Sequence, residues 1–156
     1  MKRKILPVLL CLLLLLPWSS RLLTGEKTFL LKDADTGKVF LKIPVKEGEI
    51  FSITFVHSVN KSPVTDEFLV EDEGFSSYRT LFTSFGAGME SSAEEGQVLT
   101  YEEDGTMVLS GFDNHHKSFQ LIVGTVSDHM LKISGEEISL RDLCGRNTSV
   151  EITIRN

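Results

Sequence analysis

Beyond Gly25 the chain breaks into short apolar segments separated by turn residues about every eight to twelve positions. That spacing constrains the fold more than any other feature. Segments of this length are strands, and turns at this frequency leave no room for helices between them. The expected strands are Phe29 to Lys32, Lys38 to Ile43, Glu49 to His57, Val64 to Glu71 and Phe75 to Phe85. They continue with Gln97 to Glu103, Thr106 to Ser110, Phe119 to Thr125, Met130 to Ile133, Glu137 to Leu140 and Ser149 to Ile154. Asp33-Ala34-Asp35-Thr36-Gly37 and Asp104-Gly105 carry hairpin chemistry. Only Leu140 to Cys144 suits a single helical turn. The expectation is an all-β single domain: an antiparallel sandwich or a partly open barrel of about ten short strands, preceded by an N-terminal apolar helix.

That helix lies in residues 1–25. Lys2, Arg3 and Lys4 precede an apolar run from Ile5 to Leu16, followed by Pro17-Trp18-Ser19-Ser20. This is the order of an export signal. Ile5 to Leu23 spans 19 residues, close to the roughly 20 that cross a bilayer. Both a cleaved signal peptide and an uncleaved signal anchor therefore fit. Either places residues 26–156 outside the cytoplasm, secreted or held at the outer face of the cytoplasmic membrane. Setting aside Lys2, Arg3, Lys4 and Arg21 leaves 12 basic residues against 22 acidic ones, a formal charge of −10. Such a domain repels phosphates, which argues against nucleic acid as a partner and leaves residues 1–25, if uncleaved, as the only membrane contact. With Cys11 in the apolar run, Cys144 is the sole cysteine of the domain, so no disulfide forms within it.

Two polar clusters stand out against this background. His57-Ser58-Val59-Asn60-Lys61-Ser62-Pro63-Val64-Thr65-Asp66 ends one strand and begins the next. Phe85-Gly86-Ala87-Gly88-Met89-Glu90 is a glycine-bearing loop. The binding candidates are His57, Ser58, Asp66, Gly86, Ala87, Gly88, Met89 and Glu90. Strand alternation puts Phe51, Ile53, Phe55 and His57 on one face, and Asp66, Phe68 and Val70 on one face of the partner strand. A register that pairs Phe55 with Phe68 also sets His57 opposite Asp66, at the rim of the core. The first reading of that pair is structural, with binding second and catalysis last. Gly86 and Gly88 allow a tight corner or a small nest of N–H groups for an anion. Met89 offers a soft apolar contact.

Catalytic and metal readings are weaker. Ser58, adjacent to His57, projects to the opposite face of its strand, and no Gly-x-Ser-x-Gly elbow occurs. His57, His115, His116 and His129, with Asp113 or Asp128, match no zinc spacing, and no calcium loop is present. Asp113-Asn114-His115-His116 reads as a polar turn. The expectation is a non-enzyme without metal or cofactor, with a small-carboxylate binder as the alternative and a hydrolase built on His57 last.

His57-Ser58-Val59-x-Lys61-Ser62-Pro63-Val64, then Phe85 to Glu90, then Ile133-Ser134-Gly135-Glu136-Glu137-Ile138-Ser139-Leu140 resembles an uncharacterised family of small exported bacterial domains. These domains are often encoded beside TAXI-type tripartite ATP-independent periplasmic (TRAP) transporters. The likeness runs in order through nearly all of residues 26–156, and its members carry an acidic residue near the position of Asp66. The resemblance implies a setting, solute uptake at the cell envelope, and a transporter permease or solute receptor as partner. It implies no reaction.

Overall fold

The computed structural model describes residues 26–84 and 93–156. The N-terminal segment 1–25 and the loop residues Gly86, Ala87, Gly88, Met89 and Glu90 lie outside the described residues. The described residues form twelve strands and one short helix: β1 (Lys27–Asp33), β2 (Val39–Val45), β3 (Ile50–Val56), β4 (Pro63–Glu71), β5 (Gly74–Phe82), β6 (Val98–Tyr101), β7 (Met107–Ser110), β8 (His115–His116), β9 (Ser118–Ile122), β10 (His129–Ile133), β11 (Glu136–Ser139), α1 (Leu140–Cys144) and β12 (Ser149–Arg155). Among the described residues α1 is the single helix, and no helix is long and apolar enough to cross a membrane.

The strands form two antiparallel sheets, and neither closes on itself. The smaller has the order β2-β1-β12-β9; the larger runs β11-β10-β3-β4-β5-β7-β6, with β8 beside β5. One core lies between them. Phe29 and Leu31 of β1, with Val150, Ile152 and Ile154 of β12, supply the small-sheet side. Phe51, Ile53, Phe68, Val70, Phe75, Leu131 and Ile133 supply the other. The pattern Ser-Val-Glu-Ile-Thr-Ile-Arg in β12 alternates faces, which is why its apolar residues all point inward. Phe51 is the hub: its ring lies 5.1 Å from Phe29, 5.1 Å from Phe68 and 5.2 Å from Phe75.

Val64, Phe82, Met107 and Leu109 form a second apolar cluster at the other end of β4 and β5. Between the clusters one cross-strand row reads Leu131, Ile53, Asp66, Thr80, Leu109, Leu99. A carboxyl group therefore sits on the inner face, in a seam between two apolar patches.

The structure corrects four expectations. The strand expected over Phe75 to Phe85 ends at Phe82. Phe119 to Thr125 shortens to Ser118–Ile122. His115 and His116 form β8 against Ser76 and Phe75, where a polar turn was expected. Gly74 permits this, since a Cβ there would lie 2.2 Å from the His116 carbonyl oxygen. The fourth correction is the β3–β4 register. Phe51 faces Phe68, Ile53 faces Asp66 and Phe55 faces Val64, so His57 does not meet Asp66. The offset is four residues, an even number, so the predicted faces survive: Phe51, Ile53, Phe68 and Val70 are all buried.

Candidate functional site

The turn after β3 begins where the pairing fixes it. The His57 N–H donates to the Ser62 carbonyl at 2.9 Å, and Lys61 N–H returns to the His57 carbonyl at 3.0 Å. Lys61 takes a left-handed φ of 54° to make this closure. The His57 Nδ1 accepts from the backbone N–H groups of Val59 and Asn60, each at 3.4 Å. Its imidazole is thus bound to its own turn, while Asp66 lies roughly 13 Å further along the sheet at about 3.3 Å per residue. Asp66 instead accepts from the Thr80 hydroxyl at 2.8 Å. Burial holds its carboxyl above the ordinary value of 3.8, with the Thr80 hydrogen bond acting the other way.

Ser84, the residue before the second cluster, is held by the turn that carries the first. Asn60 Nδ2 donates to the Ser84 carbonyl at 3.3 Å, and the Ser62 and Ser84 hydroxyls lie 3.0 Å apart. The chain leading toward residues 86–90 is therefore tied to the His57 turn. Asp66 belongs to a different place, the inner face of the sheet.

A second wall comes from the loop between β9 and β10. Pairing of β10 with β3 sets His129 opposite Phe55, with their rings 5.5 Å apart. This brings Val126, Ser127 and Asp128 over the His57 turn. Val56, His57, Ser58, Lys61, Val126, Ser127 and Asp128 then line a cleft of about 400 Å³. The Ser127 hydroxyl accepts from Val56 N–H at 2.8 Å and donates to the Asp128 carbonyl at 3.2 Å. Asp128 anchors this wall. Its Oδ1 accepts from the backbone N–H of His129 at 2.7 Å and of Arg141 at 3.1 Å, and its Oδ2 from the Ser139 hydroxyl at 2.6 Å. Burial alone would push the Asp128 carboxyl up; these hydrogen bonds and the Arg141 charge outweigh it and hold it below 3.8. His129 Nδ1 accepts from Gly124 N–H at 3.1 Å, and burial leads the effects that lower its pKa from 6.5.

Val126 and Ser127 were missed by sequence reasoning as cleft residues. The one signal was an apolar Val126 inside a polar loop, Gly124-Thr125-Val126-Ser127-Asp128, where packing gives it no use. The remaining histidines lie at the opposite end of β4. His115 Nδ1 is 2.8 Å from Glu71 Oε2, and His116 Nε2 is 3.2 Å from the Ser77 hydroxyl. Among the described residues no group of three metal-ligating side chains is formed.

The family signature described as a domain of unknown function (DUF1850) matches residues 51–140, and the chain belongs to that family. The matched region holds β3 to β11 and so both walls of the cleft. No curated protein and no solved structure matches the chain.

Proposed function

We propose that this DUF1850 domain is a non-enzymatic interaction module of the cell envelope, displayed outside the cytoplasmic membrane and serving a TRAP-type solute transporter. The observation that carries the reading is the apolar rim of the His57 cleft. Val56 and Val126, 46% and 87% exposed, line it beside hydrogen-bonding groups, and Val59, 61% exposed, lies in the same turn. Exposed apolar side chains rimming a polar cleft suit a protein partner, since each loses its contact with water on docking. On the Asp128 wall the polar groups are spent on holding backbone, which suits a surface of set shape. The outward display rests on the order of residues 1–25, and the transporter setting on the resemblance of the His57 and Gly86 clusters. The partner is the permease or the solute receptor.

Mild crosslinking of tagged full-length protein in its native membranes, followed by capture, tests this. Transporter subunits are expected with the wild type and not with Val126→Asp, a substitution at a side chain too exposed to affect folding. Capture of no transporter subunit by the folded wild type would overturn the reading.

A further inference from the structure

We infer that the His57 cleft is a binding site for a small organic carboxylate with an aliphatic tail. The inference rests on reading this rim as the working surface of the module, and it adds a ligand to it.

Hydrogen-bond donors and acceptors are unevenly used across the cleft. His57 lines the cleft, and its Nδ1 accepts two backbone N–H groups. With Nδ1 accepting, Nε2 is the ring nitrogen that carries an N–H and can donate. Lys61 brings an ammonium group with three donors. Among the described residues it makes no ion pair, although the domain carries a formal charge of −10. Ser58 adds a hydroxyl. The acceptors on the other wall are already in use. Asp128 Oδ1 takes two backbone N–H groups and Oδ2 takes the Ser139 hydroxyl. Ser127 Oγ takes the Val56 N–H and turns its own proton to the Asp128 carbonyl. Among the described residues the cleft thus has donors left over, while the acceptor side chains on the other wall are each already engaged, a combination that favours an anionic acceptor. A carboxylate between Lys61 and His57 would receive charge-assisted hydrogen bonds.

The shape selects the rest of the molecule. Val56 and Val126 give the cleft apolar sides, and its volume of about 400 Å³ falls within the usual range for small-molecule sites. A free phosphate or sulfate would leave those sides unfilled. The Asp128 backing also disfavours a multiply charged anion.

The test uses the full-length chain in nonionic detergent with labelled valine methyl groups, followed by NMR, and needs no transporter. Hexanoate is expected to shift the Val56 and Val126 methyl signals saturably, and the neutral isostere hexanamide at least about tenfold more weakly. Lys61→Gln, on an exposed turn residue, should weaken hexanoate binding about tenfold while the remaining methyl spectrum stays unchanged. His57→Gln should weaken it as well. An equal response to hexanamide, unchanged hexanoate affinity in Lys61→Gln, or no methyl shift at all would each overturn the inference. Because capture of transporter subunits is measured separately, a dry cleft with captured subunits leaves the docking role standing, and the converse result leaves the ligand site standing.

Discussion

Asp128 offers the sharpest test of how the cleft is built. Its carboxylate gathers Ser139, the N–H of His129 and the N–H of Arg141, joining the β9–β10 loop to the start of α1. Hydrogen bonds to a charged group contribute about 1.5–3 kcal/mol each, but this side chain is only half-buried and water can replace part of what is lost. Asp128→Ala should therefore cost about 2–3 kcal/mol. Asp128→Asn should cost about 1 kcal/mol, for a local reason. Its amide oxygen can keep both backbone N–H groups, while its NH₂ then faces a Ser139 hydroxyl that already accepts from Asp142 N–H at 3.0 Å. Urea unfolding measures this directly, and for Asp128→Ala the midpoint should fall by about 1–2 M. The pH dependence supplies a second arm. The folded-state pKa lies below the unfolded 3.8, so the carboxylate's contribution is present above 3.8 and is lost as pH falls through the lower folded value. That acid-side loss should be smaller in Asp128→Asn. A cost under about 0.5 kcal/mol for Asp128→Ala, the range of an ordinary surface change, would refute the claim that Asp128 holds the wall.

Three other perturbations probe the frame around the cleft. Asp66 is shifted the opposite way by burial, so the folded state favours its protonated form. Stability attached to Asp66 is present below 3.8 and lost as pH rises through the raised folded value. Asp66→Asn should hence be more stable than the wild type at neutral pH, with the gap closing in acid; paired urea titrations decide it, and an unchanged neutral-pH midpoint counts against burial of this carboxyl. Phe51→Ala removes the hub of the aromatic core and should cost about 3–5 kcal/mol in the same assay, whereas a loss below about 1.5 kcal/mol would place the core elsewhere. At Gly124 an added Cβ would lie 2.0 Å from the Ser127 carbonyl oxygen. Gly124→Ala should cost about 1–3 kcal/mol and move the Val126 methyl signals, and an unmoved Val126 would show that the loop is not packed as described.

Much of the frame was legible in the sequence because strand side chains repeat every two residues. Alternation alone separated Phe51, Ile53, Phe68 and Val70 as inward-facing, and put Asp66 on the same side. The Asp33 and Asp104 turns were equally legible. Asp33 Oδ1 accepts from Asp35 and Thr36, and Asp104 Oδ1 from Thr106, as aspartates in such turns do. Leu140 to Cys144 was identified as a helical turn from its residues, and it has a side-chain cap at Ser139. The short β8 escaped, because two histidines carry no strand period. Its pairing depends on the space left by Gly74.

The candidate site divides along the same line. Sequence alone determined that a polar turn with His57, Ser58 and Lys61 closes an apolar strand, since composition and alternation are local properties. Alternation fixes register only to an even number of residues, so it could not choose between His57 opposite Asp66 and Ile53 opposite Asp66. The turn made that choice. Pro63 reads as loop, yet it can open a strand where its missing N–H costs nothing, and it pairs with Val56. The shorter turn moved Asp66 into the seam of the inner face. Only tertiary structure brought Val126, Ser127 and Asp128 to the His57 turn, about seventy residues away in sequence. The β3–β10 pairing that joins them is a long-range contact, and no local pattern encodes which strand will lie beside which.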